Sequence, residues 1–107
     1  MTIGATAVMT PGQSVQAGRV TLQFTKVGDL RLVDSADRIV WSSHTGGSGS
    51  KAVFQGDGNL AVYTADQTTA WSSRTDGHAG AVLVIKKSGD MSIVFKGTTL
   101  WHTDTAL

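Results

Sequence analysis

Apolar and polar residues alternate with a period of two at three places along the chain. Leu30 and Leu32 alternate with Asp29, Arg31 and Val33. Leu60 and Val62 alternate with Asn59, Ala61 and Tyr63, and Met91 and Ile93 with Asp90, Ser92 and Val94. Successive side chains of an extended strand point to opposite faces, so this alternation predicts half-buried β-strands. Each run follows a pair that contains glycine: Gly28-Asp29, Gly58-Asn59 or Gly89-Asp90. Glycine tolerates positive φ, so each pair predicts a hairpin turn. Further turns are predicted at Asp34-Ser35-Ala36-Asp37, Ala65-Asp66-Gln67 and Lys96-Gly97. Helical periodicity is missing throughout, and the fold class is therefore all-β, with three or four short antiparallel strands per unit.

The units repeat. Trp41, Trp71 and Trp101 are the only tryptophans, spaced by 30 residues each time, in the contexts IVWSSHT, TAWSSRT and TLWHTDT. A fixed period of this length marks an array of supersecondary units that cannot bury their apolar faces alone. Three such units are expected to pack about a pseudo-threefold axis as a prism of three small sheets. Trp41, Trp71 and Trp101 would meet near that axis as a structural core rather than as a ligand platform, because a core should show the threefold pattern and a ligand site need not.

Composition narrows the function classes. A length of 107 residues fits one domain spanning 1–107. Gly is 13, Pro is 1 and Cys is 0, so the fold stands on packing without disulfides, and thiolate chemistry is excluded. The net charge is +1 with no basic run longer than Lys86-Lys87, which argues against nucleic acid as a partner. No apolar stretch is long enough to span a membrane, and the N-terminal MTIGATAVMTPG lacks the pattern of a signal peptide. A cytoplasmic or non-classically secreted protein is the expectation. The eight acidic residues are all Asp, and no pair of them stands out as a catalytic dyad. His44, His78 and His102 lack metal-ligand spacing, and Asp57-Gly58-Asn59 opens like a calcium loop without the Glu that would close it. No cofactor and no enzymatic activity are expected.

One stretch does point to chemistry. FQGDGNLAVY, residues 54–63, holds the only Asn and the only Tyr of the chain, Asn59 and Tyr63, close to Gln55 and Asp57. Asp accepts only, Asn and Gln both donate and accept, and Tyr offers a hydroxyl on a rigid ring. A hairpin at 57–59 would bring the four together and turn Phe54, Leu60 and Val62 to the core. Turn chemistry and strand propensity alone would also account for these residues.

The same stretch resembles the QxDxNxVxY motif of the bulb-type mannose-binding lectins, the snowdrop-lectin family of B-lectin domains. Gln55, Asp57, Asn59 and Tyr63 match it, and Ala61 replaces the valine. MTPGQSVQAGRV, WSSHTGG and WSSRTDG are similar to the family's opening and post-tryptophan segments, so the resemblance covers essentially the whole chain. It implies a β-prism of three four-stranded sheets, and a shallow mannose pocket on the outside of the second. Asp57 and Asn59 would contact the axial 2-hydroxyl, Gln55 the 3-hydroxyl and Tyr63 the 4-hydroxyl, with Ala61 against the ring carbons. These polar side chains would point outward and leave the fold independent of them. The first unit has Thr25, Val27, Asp29, Arg31 and Val33 at the motif positions, and the third has Lys86, Ser88, Asp90, Ser92 and Val94. Neither keeps the polar set, so those sites are expected to be dead. Asp29 and Asp90 would then survive as turn residues. The resemblance also places the family's missing disulfide at Gly28 and Ser50, and implies a homodimer formed by exchange of the C-terminal segment TTLWHTDTAL. The rival reading is a β-prism interaction protein, used in antagonism or adhesion, whose sugar binding is weak or lost.

Overall fold

The computed structural model describes residues 1–106. The final residue of TTLWHTDTAL lies outside the described residues. Twelve strands run in chain order among them: β1 (Thr2–Ile3), β2 (Ala7–Met9), β3 (Ser14–Ala17), β4 (Val20–Phe24), β5 (Leu30–Asp34), β6 (Ile39–Ser42), β7 (Gly49–Phe54), β8 (Leu60–Thr64), β9 (Thr69–Ser72), β10 (Val82–Ile85), β11 (Met91–Phe95) and β12 (Thr98–His102). They form three four-stranded antiparallel sheets, ordered β3-β4-β5-β6, β2-β7-β8-β9 and β1-β10-β11-β12. This is the all-β prism with three sheets that the sequence implies. The first sheet is continuous in sequence. The other two each borrow their first strand from the N-terminus: β1 pairs with β10, and β2 with β7.

Period two decides what each sheet buries. Leu30, Leu60 and Met91 open the third strand of each sheet facing inward, followed by Leu32, Val62 and Ile93, and all six are buried. Phe24, Phe54 and Ile85 close the preceding strands and are also buried. Together with residues such as Leu22, Ala52 and Leu83 they form one contiguous cluster. Trp41, Trp71 and Trp101 pack against it as a ring of three, every pair edge-to-face with centroids 5.2–5.5 Å apart. They meet as expected, but they are half-buried, and the deepest positions belong to Phe, Leu, Ile and Met. Edge-to-face geometry sets the positive rim of each indole against the negative face of the next, which adds to the area the rings bury.

The turns also repeat. Gly28, Gly58 and Gly89 have φ of 86°, 90° and 103°. A β-carbon on Gly58 would come within 2.8 Å of the His78 carbonyl oxygen, so conformation and space both demand glycine there. Gly28 lies directly against Gly49, whose carbonyl oxygen would be 2.0 Å from an added β-carbon. The backbone pair is therefore Gly28 with Gly49, not Gly28 with Ser50. Ser50 is exposed, at the irregularity between Gly49 and Lys51 that shifts the β7–β8 register.

The residue after each turn glycine ties its hairpin to the loop that follows the tryptophan. Asn59 Oδ1 accepts from Ser72 Oγ at 2.9 Å, Ser73 Oγ at 3.2 Å and the Thr75 N–H at 3.3 Å. Asp29 Oδ1 accepts from Ser42, Ser43 and the Thr45 N–H at 2.9, 3.3 and 3.2 Å. Asp90 Oδ1 accepts from Thr103 Oγ1 and the Thr105 N–H, both at 3.2 Å. Thr45, Thr75 and Thr105 then donate to the carbonyls of Gly28, Gly58 and Gly89 at 2.7, 2.6 and 2.8 Å. In the third sheet His102 stands where the others have Ser42 and Ser72, and its Nδ1 is 3.4 Å from Asp90 Oδ2.

Two predictions follow from this packing. Trp71→Ala removes two edge-to-face contacts and part of the core lid, and is expected to cost about 3 kcal/mol, the low end for a large aromatic because the ring is half-buried. Urea unfolding of the variant and the parent measures it; an unchanged midpoint would show that the ring of indoles is not structural.

The second concerns acid. Burial pushes the Asp90 carboxyl up, but the Thr105 N–H, the Thr103 hydroxyl and the His102 charge outweigh it and hold the group below its ordinary value. Asp34 is held low by the Arg38 N–H first, against burial, and then by the Ala36 N–H and the Arg38 guanidinium at 2.9 Å. A carboxyl whose pKa is lower folded than unfolded stabilises the fold above its unfolded value, about 3.9, and loses that contribution as pH falls through the folded value. Melting temperature should therefore fall below about pH 4. Asp34→Asn and Asp90→Asn should each flatten that acid limb in a melting series; an unaltered limb in both would refute the assignment.

Candidate functional site

The FQGDGNLAVY stretch forms the β7–β8 hairpin. Its register pairs Phe54 with Leu60, Val53 with Ala61, Ala52 with Val62 and Lys51 with Tyr63. The turn closes through the Gln55 N–H to the Asn59 carbonyl at 2.8 Å and the Gly58 N–H to the Gln55 carbonyl at 3.0 Å. Asp57 Oδ1 accepts the Asn59 N–H at 3.0 Å, a side-chain mimic of a backbone turn. Phe54, Leu60 and Val62 face the core, which leaves Ala61 and Tyr63 on the outer face.

The five motif positions are not equivalent. Gln55 and Tyr63 are half-buried and bonded to each other, with Gln55 Nε2 donating to the Tyr63 hydroxyl oxygen. They share a cavity of about 310 Å³ with Lys51 and Gln67. Asp57 is exposed at the turn beside them. Asn59 is buried, with only 9% of its surface exposed, and its Oδ1 is committed to the loop after Trp71. This corrects the expectation that the motif's side chains leave the fold independent of them. Asn59 Nδ2 has no acceptor among the described residues and remains available to a ligand. Ala61 is fully buried and offers no surface to a ring in this structure.

Lys51 and Gln67 line the same cavity, and the motif does not include them. Lys51 lies opposite Tyr63 with its Nζ 5.9 Å from the ring centroid, a cation–π approach. The register signals it: a hairpin that pairs Phe54 with Leu60 carries on to pair Lys51 with Tyr63. Gln67 sits at the turn the sequence predicts, with φ of 67°, but nothing in its sequence neighbourhood places it at the cavity.

The other two sheets present different chemistry at the same places. On the first, Asp29 occupies the Asn59 position and Arg31 the Ala61 position; Val33 stands in place of Tyr63 and is buried. On the third, Asp90 replaces Asn59, and Ser92 replaces Ala61 with its buried Oγ unpartnered among the described residues. Asp29 and Asp90 are clamp residues, and their role extends past the turn itself. Among the described residues, no group of three or more acidic or histidine side chains could hold a metal, and no helix is long and apolar enough to cross a membrane.

No protein-family profile matches the chain, and no curated protein matches it by sequence. Solved structures do. The chain is similar to a Japanese Marasmius oreades lectin, with 29% identity and a TM-score of 0.87 over 97% of this chain and 90% of that one. It is similar to a monomeric monocot mannose-binding lectin from Gastrodia elata, with 25% identity and a TM-score of 0.85 over 100% and 97%. It is similar as well to the mannose-specific agglutinin of snowdrop (Galanthus nivalis) bulbs, solved with methyl-α-D-mannoside, with 30% identity and a TM-score of 0.75 over 100% and 96%. Three four-stranded sheets, a tryptophan ring and whole-length similarity to these lectins agree: the chain belongs to the bulb-type, snowdrop-lectin-like family and has a carbohydrate-binding lectin fold.

Proposed function

We propose that the chain binds mannose or mannose-containing glycans through one site, on the outer face of the sheet β2-β7-β8-β9, with no catalytic step. The observation that carries the reading is the meeting of Gln55 and Tyr63 over a cavity of about 310 Å³, with Asp57 and Asn59 at the adjoining turn. A sugar presents vicinal hydroxyls that both donate and accept. Gln55 and Tyr63 exchange their mutual bond for bonds to two hydroxyls, Asp57 accepts from a third, and Asn59 Nδ2 donates to it. Exchange of this kind gains little per bond, about 0.5–1.5 kcal/mol. With ~0.3 kcal/mol per heavy atom for a shallow site, a monosaccharide binds near the millimolar range.

Asn59 supplies the sharpest chemical distinction between the sheets. Its Oδ1 serves the clamp in the same way as Asp29 and Asp90, but only the amide adds an N–H donor. The other two sheets, with Asp in that place and neither Gln nor Tyr at the matching motif positions, are read as not binding mannose. One site per chain gives no avidity, so useful glycan binding calls for assembly. We infer a homodimer through the C-terminal strand β12, which pairs with β11 inside the chain and is the last strand of its sheet. The buried Ala61 and the bond that closes Gln55 onto Tyr63 favour one second reading: a prism used for protein contact, with sugar binding weak or lost.

Titration of methyl mannoside into the parent and three variants decides between them. Asn59→Asp keeps the clamp, as the other sheets show, and loses only the donor; it is expected to weaken binding about tenfold with the melting temperature held. Tyr63→Phe should weaken it several-fold, and Asp57→Ala more, since that acceptor is charged. Asn59→Ala is a poorer probe, because it strips the Thr75 N–H and the Ser72 hydroxyl of their acceptor and should cost about 2 kcal/mol of stability. Absence of any mannose binding by the parent selects the protein-contact reading; binding unchanged in all three variants places the sugar elsewhere. Sedimentation at tens of micromolar, where a single species of monomer mass would contradict the dimer, tests the assembly.

A further inference from the structure

The outer face of the first sheet carries a cation, Arg31, that has no ion-pair partner among the described residues. Arg31 on β5 stands opposite Gln23 of β4 and Ser42 of β6, as Ala61 stands opposite Val53 and Ser72 on the second sheet. Arg31 is half-buried, and its Nε donates to Gln23 Oε1 at 3.2 Å. That bond fixes the guanidinium against a neutral partner. Among the described residues no carboxylate lies within ion-pair distance of Arg31; the ion pairs join Arg38 to Asp34 and His102 to Asp90. Asp29, two residues away, faces Ser42, whose single hydroxyl hydrogen is shared between the two carboxylate oxygens, and its Oδ1 also accepts from the Ser43 hydroxyl and the Thr45 N–H. The two terminal nitrogens of Arg31 are therefore left without an internal acceptor among the described residues.

Gln23 connects this guanidinium to a cavity of about 210 Å³, whose walls include Gln13, Ser14, Thr25 and Lys26. Gln13 Oε1 is engaged by the Thr10 N–H at 2.9 Å, which leaves its amide N–H groups free. The face thus combines one fixed guanidinium, a second cation at Lys26, and hydroxyl and amide groups able to donate and accept. Partial burial of a guanidinium costs hydration that an ion pair ordinarily offsets, and here no described carboxylate supplies that offset.

We propose that the outer face of the sheet β3-β4-β5-β6 binds an acidic sugar, a saccharide unit bearing a carboxylate or a sulfate. Two oxygens of the acidic group lie against the Arg31 fork, in the planar two-point geometry that guanidinium provides and ammonium does not. Ser14, Gln23 and Thr25 meet the ring hydroxyls, and Lys26 adds attraction that salt screens. The site is independent of the mannose site on the second sheet. The two faces share a scaffold and differ where Arg31 and Gln23 stand in place of Ala61 and Val53.

Glucuronate, glucose 6-sulfate and glucose, titrated separately into the ¹⁵N-labelled chain of residues 1–107, test this. At least one of the acidic sugars is expected to shift amide signals within residues 13–31 with a dissociation constant in about the millimolar range, while glucose does not at equal concentration. The arm that binds identifies the acidic group. Added salt weakens the binding. Arg31→Ala and Gln23→Val install the residues the second sheet carries at those positions, so the fold is expected to survive, as a melting curve will show. Arg31→Ala should reduce acidic-sugar affinity about tenfold or more, Gln23→Val several-fold, and Arg31→Lys should recover only part of it. Tyr63→Phe should leave it unchanged. Three results would overturn the proposal: no shift with either acidic sugar, equal binding of glucose, or acidic-sugar affinity preserved in Arg31→Ala.

Discussion

One side-chain oxygen per sheet locks the turn before its third strand to the loop after its tryptophan: Oδ1 of Asp29, Asn59 or Asp90. It collects the hydroxyl and backbone N–H of the Ser/Thr-x-Thr segment that follows each tryptophan. These groups are buried or half-buried, where an unpaired donor costs about 1–3 kcal/mol. Satisfying them all at one acceptor fixes the loop after each tryptophan against the turn before the preceding strand, and so fixes the angle at which each indole enters the ring. With no cysteine in the chain, this polar clamp and the backbone contact of Gly28 with Gly49 hold turn to loop without a covalent link.

The clamp constrains what the outer face can become. What the three sheets share is an acceptor at Oδ1, while the other atom of the same side chain differs in its surroundings from sheet to sheet. Asp and Asn therefore both serve, and the choice between them is free for recognition. On the second sheet the free atom is an amide nitrogen, beside Gln55, Asp57 and Tyr63; on the third it is a carboxylate oxygen facing His102. A difference in donor and acceptor chemistry is written on a structural residue without loss of the structural role. Side chains further along the strand vary more widely, from Ala61 to Arg31 to Ser92, because they lie on the outer face and the inner cluster does not depend on them.

Much of this was legible in the sequence because it is local. Period-two alternation gave the third strand of each sheet and its inward face. The turn glycines were readable because positive φ excludes nearly every other residue, and the 30-residue spacing of Trp41, Trp71 and Trp101 pointed to a shared centre. Gln55, Asp57, Asn59 and Tyr63 stood out by type and spacing within a single hairpin. Lys51 was also within reach, because the turn at 55–59 sets the register that pairs it with Tyr63.

The rest depended on contacts between segments far apart in the chain. Whether Thr2–Ile3 or Ala7–Met9 joined the second sheet or the third could not be read locally, because either short strand satisfies an unpaired edge equally well in isolation. The same holds for the neighbour of Gly28, which is Gly49 by a close approach of backbones and not by any residue preference. Burial separated residues that the sequence presents alike: Asn59 is held inward by Ser72, Ser73 and Thr75, Asp57 stays in solvent, and Ala61 is covered. Thus the sequence by itself determined the strands, the turns and the identity of the polar groups, since each follows from a few adjacent residues. Only the tertiary structure decided which of those groups serve the fold and which remain free for a ligand, since a donor or acceptor is spent or spare according to what packs against it.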